Sequence, residues 1–145
     1  MDRNYNSRFK NAGHFKSRGE TQIARFLERN NIEYFYEHPL AVVDRGKVRT
    51  WYPDFTLPEY RLIMEYFGVN RDPLYKEQTR HKLDVYKSNG IEGIFLTEDS
   101  FRGDWPERIN GRIEGFLKRR QERFCNRMQR KEYDFAGLQP YYRNP

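Results

Sequence analysis

Cysteine is almost missing. Cys125 stands alone among 145 residues, so no internal disulfide can form and no paired-cysteine zinc knuckle exists. The three histidines, His14, His38 and His81, are too scattered for an HExxH helix or finger-type zinc ligation. No apolar run reaches the roughly 18 residues that a membrane-spanning helix needs. The opening Met1-Asp2-Arg3-Asn4-Tyr5-Asn6 lacks the apolar core of a secretory signal. These absences exclude disulfide scaffolds, zinc fingers and zincin proteases, and the expectation is a soluble, intracellular, cytoplasmic protein.

Aromatic residues, in contrast, make up 17% of the chain, with 11 Tyr and 11 Phe. Rings bury much apolar area per side chain, so this load argues for a packed core despite a mean hydropathy of −1.09. The length suits one domain. Lys and Arg number 27 against 21 Asp and Glu, a net charge of +6. That charge is segregated. Arg3, Arg8, Lys10, Lys16 and Arg18 face only Asp2 near the start, and eight basic residues face only Glu114 and Glu122 between Arg112 and Lys131. The body between them is mildly acidic. Basic segments flanking such a body suit a polyanion, because Lys and Arg contacts to phosphate release condensed counterions. A solubilising basic surface is the simpler alternative.

The polar stretch 1–16 reads as a flexible basic arm. Ser17 followed by Glu20 forms a capping-box pattern, with Ile23, Phe26 and Leu27 at helical spacing and Asn30-Asn31 as a stop. Ile32 to Glu37 is aromatic and β-branched and predicts a strand. Asp44-Arg45-Gly46-Lys47 predicts a turn, Val48 to Leu57 a second strand, Pro58-Glu59-Tyr60 a tight turn, and Arg61 to Phe67 a third strand. Asp72-Pro73 opens a helix that Gly90 closes. Ile91 to Leu96 predicts a fourth strand. Asp104-Trp105-Pro106-Glu107 opens a last helix with a stripe of Ile109, Ile113, Phe116, Leu117, Phe124 and Met128. A domain over 17–132 and an irregular tail over 133–145 follow. The order α-β-β-β-α-β-α predicts an α/β fold, a mixed four-stranded sheet flanked by helices.

Two acids stand out. Asp54 sits in Trp51-Tyr52-Pro53-Asp54-Phe55, and Glu65 sits within the third strand on the face of Ile63 and Phe67. An ionised carboxylate among residues that want burial costs several kcal/mol unless it is paired, protonated or bound to a metal. The short link between these strands makes them neighbours, so both acids reach one sheet edge. Converging carboxylates with nearby carbonyls make a hard oxygen site suited to Mg²⁺. A strand-end Asp and an Arg-paired Glu are the structural alternative.

The ordered set of helix acid, Pro53-Asp54 and Glu65 on an apolar strand resembles the PD-(D/E)xK nuclease superfamily. Within it, Phe15-Lys16-Ser17 with Glu20, the strand Ile32 to Glu37 and Tyr52-Pro53-Asp54-Phe55-Thr56-Leu57-Pro58 are similar to the phage endonuclease I group of junction-resolving enzymes, over roughly residues 14 to 68. The resemblance implies a restriction-endonuclease-like core and a Mg²⁺- or Mn²⁺-dependent DNA endonuclease. Asp54 and Glu65 would hold the ion, with the Tyr66 main-chain carbonyl as a further ligand and Glu20 acting directly or through water. For Glu20 the capping role accounts for the residue equally well. Two positions depart from the pattern. The lysine usual two residues after the second acid is Phe67, and Lys82, on one helix face with Tyr75 and Tyr86, is the candidate replacement. The acid expected on the first strand of the endonuclease I group is Phe35. Three functions therefore compete: a metal-dependent endonuclease, a four-way-junction resolvase acting as a homodimer, and a catalytically degenerate nucleic-acid-binding module. Lys16, Arg18, Arg119, Arg120, Arg123 and Arg127 are the expected DNA contacts.

Overall fold

In the computed structural model, which describes residues 9–10, 15–69 and 72–130, the chain divides into two compact units, Met1–Glu107 and Arg108–Pro145. The tail expected over 133–145 lies outside the described residues, as does the arm apart from Phe9–Lys10, Phe15 and Lys16.

The first unit opens with a two-residue strand, β1 (Phe9–Lys10), and the helix α1 (Arg18–Arg29). Ser17 caps α1 in an extended conformation, its Oγ accepting from the Glu20 N–H, and Asn31 leaves the helix in the left-handed region. The helix buries Ile23, Ala24, Phe26 and Leu27 on one side, the face that its spacing predicts. Then come β2 (Tyr34–Tyr36), β3 (Leu40–Asp44), β4 (Lys47–Trp51), β5 (Phe55–Leu57), β6 (Leu62–Tyr66), α2 (Pro73–Ser88) and β7 (Gly93–Leu96).

The main sheet is mixed, in the order β1-β2-β5-β6-β7. Strand β5 runs antiparallel to both β2 and β6, and β7 returns parallel to β6 through α2. These four strands are the expected mixed four-stranded sheet, and β1 adds a short parallel edge beside β2. Side chains alternate across it. Tyr34, Tyr36, Phe55 and Tyr66 lie on one face with α1, where the Tyr34 hydroxyl donates to Glu28 and the Tyr66 ring lies against Gly19. A Cβ at Gly19 would fall 2.4 Å from that ring, so the close approach of helix and sheet requires glycine there. Glu65, Phe67 and Phe95 lie on the other face, beneath α2. Phe55, Leu57, Leu62, Met64, Ile94 and Leu96 are buried in the centre. Each such side chain contributes about 1.5–3 kcal/mol of burial.

One expected strand is wrong. Val48 to Leu57 is two strands in two sheets, because Pro53 has no N–H to continue a ladder and the chain breaks over Tyr52-Pro53-Asp54. The first piece, β4, pairs with β3 as a separate two-stranded hairpin inserted between β2 and β5. Its two-residue turn, Arg45-Gly46, has φ of +50° and +74°, the pattern of a type I′ turn. The hairpin is tied to the end of α2 by Asn89, whose Oδ1 accepts from Val43 N (2.8 Å) and whose Nδ2 donates to Val43 O (2.9 Å). A 3₁₀ turn over Glu98–Phe101 follows β7.

The helix α3 (Trp105–Arg130) begins in the first unit and makes up the described part of the second. Of its expected stripe, Ile109 and Ile113 are buried, whereas Leu117, Phe124 and Met128 are exposed. Among the described residues no helix is long and apolar enough to cross a membrane.

Candidate active site

The register of β5 on β6 pairs Phe55 with Met64, and its continuation by one residue sets Asp54 opposite Glu65. Residues directly opposite in an antiparallel pair project to the same face, so the two acids share one side of the sheet. Asp54 is fixed from both sides. Its main-chain carbonyl accepts from Glu37 N (3.0 Å), and its Oδ2 accepts from Tyr66 N (2.7 Å). That second bond brings the main chain of Tyr66, the expected carbonyl ligand, alongside the carboxylate. Oδ1 of Asp54 makes no hydrogen bond among the described residues.

Glu65 is 2% exposed. One of its oxygens accepts from the Tyr86 hydroxyl and the other pairs with Lys82 Nζ, both groups coming from α2. Lys82 and Tyr86 are four residues apart and therefore stand on one helix face. The Lys82 ammonium also lies 5.8 Å from the centroid of Phe67. Phe67, stacked on Phe95 at 5.9 Å, fills with a ring the position where the resemblance calls for lysine, and Lys82 places its charge above that ring.

Burial pushes the Asp54 carboxyl up to about 6; the Tyr66 N–H and Lys82 lower it, and the negative charges of Glu65 and Glu20 raise it further. Burial beside the Glu65 carboxylate likewise pushes the Tyr86 hydroxyl well above its usual range, so it stays a donor.

Glu20 enters from α1, on the opposite side of the sheet. Its Oε1 accepts from Ser17 Oγ (3.1 Å), and its Oε2 accepts from Lys16 N (3.0 Å) and from the Tyr36 hydroxyl. Only half of the expected capping box therefore forms: Ser17 Oγ accepts from Glu20 N, but the Glu20 carboxylate reaches back to Lys16 N rather than to Ser17 N. Three of roughly four acceptor positions on its carboxylate are occupied, and its influence on Asp54 is electrostatic.

The site opens into a cleft of about 840 Å³. Asp54, Lys82 and Gln78 line it, the hairpin supplies Arg45, Thr50 and Trp51, and Tyr52 lies between hairpin and Asp54. Trp51 packs edge-on against Tyr86 at 5.3 Å. Of the expected DNA contacts, Lys16 lines the cleft but its Nζ pairs with Glu37. Arg18 is exposed at the start of α1. The α3 arginines are in the second unit: Arg119 lies over the Phe116 ring at 4.6 Å, Arg123 and Arg127 are exposed and Arg120 is half-buried. The hairpin wall and the Tyr36–Glu20 bond were not legible in the sequence, since both join segments far apart along the chain. The role of Tyr86 had a signal, its four-residue offset from Lys82.

Do these residues suit a small divalent cation? Hard carboxylate oxygens with a main-chain carbonyl nearby, one carboxylate oxygen unpartnered in the cleft and a carboxyl destabilised as an anion are the donor chemistry Mg²⁺ and Mn²⁺ take. Lys82 already supplies one positive charge there. Among the described residues no group of three His, Cys, Asp or Glu converges as a closed metal cage. Mg²⁺ does not need one, because it keeps several waters and takes one or two carboxylates. The residues fit. No protein-family model, curated protein or solved structure matches the chain.

Proposed function

We propose that this chain is a divalent-metal-dependent DNA endonuclease, a phosphodiesterase built on a restriction-endonuclease-like core. One observation carries the reading: Lys82 arrives from α2 at the buried Glu65, opposite Asp54. Asp54 and Lys82 line one cleft, and the Lys82 ammonium reaches back to the buried Glu65, so groups from three separate segments come together. A purely structural ion pair would not require Asp54 beside it, half-buried in the cleft wall with one carboxylate oxygen that no hydrogen bond takes up among the described residues.

Asp54 and Glu65, with the Tyr66 carbonyl, would hold Mg²⁺ or Mn²⁺, and Glu20 would act as an outer partner. When bound, the ion acts as a Lewis acid that makes water a better nucleophile and offsets charge on the phosphate. The chain's own groups do the rest. Lys82 offsets the negative potential of the acids where a phosphate enters, and its ammonium can donate to the attacking water. Tyr86 holds Glu65 in one rotamer by donating to it. Tyr36 and Ser17 fix Glu20, and Trp51 shields the Glu65–Tyr86 contact from solvent. Together they position a DNA phosphodiester for hydrolysis.

Supercoiled plasmid and single-stranded circular DNA should be cut in Mg²⁺ or Mn²⁺ and left intact in chelator. Asp54→Ala and Glu65→Ala should abolish cutting; variants as fast as the parent would remove this mechanism. Tight, salt-sensitive DNA binding without cleavage under any divalent ion would instead mark a degenerate binding module, the reading that Phe67 favours. A four-way-junction resolvase is the narrower form of the proposal. It requires a homodimer that cuts junctions faster than linear duplex.

A further inference from the structure

The hairpin β3–β4 carries a feature the catalytic reading leaves unused. Its turn places Arg45 at φ +50°, a left-handed conformation that strains a side chain of this kind and that Asn or Gly adopts readily. The strain aims a long cation at the cleft, where Arg45 is a lining residue. The other basic side chains that line the cleft are engaged, Lys16 with Glu37, Lys82 with Glu65 and the His81 ring with Asp44. Arg45 has no side-chain partner among the described residues, and neither has its turn neighbour Lys47. At the inner end of the same wall Tyr52 is 58% exposed, in the cleft and two residues from Asp54. Its ring touches no other ring among the described residues, in contrast to Trp51 beside it, which packs edge-on against Tyr86. An unstacked aromatic and an unpaired cation thus flank one opening.

We propose that this wall grips an unpaired nucleotide: Tyr52 stacks on the base while Arg45 holds a phosphate of the same strand. The substrate class is then DNA with unpaired nucleotides, whether single-stranded, flapped or gapped, in preference to continuous duplex. Bases in intact duplex are already stacked on one another and offer no face to Tyr52. The cleft volume lies within the range that encloses one compact ligand, about one or two nucleotides and not a turn of double helix. The proposal rests on the nuclease reading for its choice of nucleic acid, but its test is binding.

The test is fluorescence anisotropy of a labelled oligothymidylate and of a blunt duplex of equal length, in chelator so that nothing is cut. The parent should favour the single strand. Tyr52→Ala should weaken single-strand binding about fivefold or more while duplex binding changes less than about twofold, and Tyr52→Phe should restore it, since the ring is what stacks. Arg45→Asn should relieve the turn, raise the melting temperature or leave it unchanged, and still weaken single-strand binding. Equal losses on both DNAs, or parental binding by Tyr52→Ala, would overturn the proposal. The two readings fail separately: a chain that binds single strands through Tyr52 but cuts no DNA refutes the nuclease, and one that cuts but ignores Tyr52 refutes the grip.

Discussion

At the scale of single residues, the site costs the fold stability. Burial raises the Asp54 carboxyl from 3.8 to about 6, so the folded chain holds that proton more tightly than the unfolded chain does. The contribution of Asp54 therefore favours folding below about pH 4 and is lost as pH rises through about 6. Ionised Asp54 then costs about 3 kcal/mol at pH 8. Asp54→Asn keeps an acceptor for Tyr66 N and removes the charge. In chelator at pH 8 it should melt several degrees above the parent, with the gap closing towards pH 4. A variant that melts at or below the parent at pH 8 would contradict this account of the carboxylate. Lys82 works in the opposite sense. Lys82→Ala leaves Glu65 buried with a hydroxyl alone, at a cost of about 2–3 kcal/mol, below that of a fully buried pair because Lys82 is one-third exposed. Millimolar Mn²⁺ should recover more melting temperature in this variant than in the parent, because the ion replaces the missing charge. Equal recovery would detach Lys82 from the proposed metal site.

At the scale of elements, what the sequence revealed depended on whether the determining contact was local. Both caps of α1 and α2 lie within a few residues of the helices they end, and Ser17, Asp72 and Gly90 stand where their chemistry predicts. The alternation Ile63, Glu65, Phe67 placed the glutamate on an inner face for the same reason. Lys82 was legible because helical spacing ties it to Tyr86. The hairpin was not. Leu40 to Asp44 is apolar enough for a strand, but its pairing outside the main sheet depends on Asn89, 46 residues away from Val43. Apolar residues on both sides of Pro53 likewise read as one continuous strand, although proline ends the ladder. Asn89→Ala should therefore cost about 1–2 kcal/mol and act locally. Amide exchange at Val43 should quicken markedly, whereas Met64 and Ile94 in the main sheet keep their protection. Uniform loss across both sheets would show that the hairpin is not a separately anchored element.

At the scale of the whole molecule, the charge divides as the structure does. The acids of the site lie in the first unit, and Arg119, Arg120, Arg123 and Arg127 lie in the second. If these arginines meet phosphates, neutralising them should flatten the salt dependence of DNA binding by roughly one unit for each phosphate left unneutralised; an unchanged slope would assign them to a solvated surface. The proposed nuclease activity depends on Asp54 and Glu65 serving a common cation. The most direct measurement is calorimetric titration of Mn²⁺ into the chelator-stripped protein, beside Asp54→Asn. The account predicts saturable uptake of one ion per chain by the parent and none by the variant. Uptake that the variant retains in full, or a parent that takes up no ion, would contradict it.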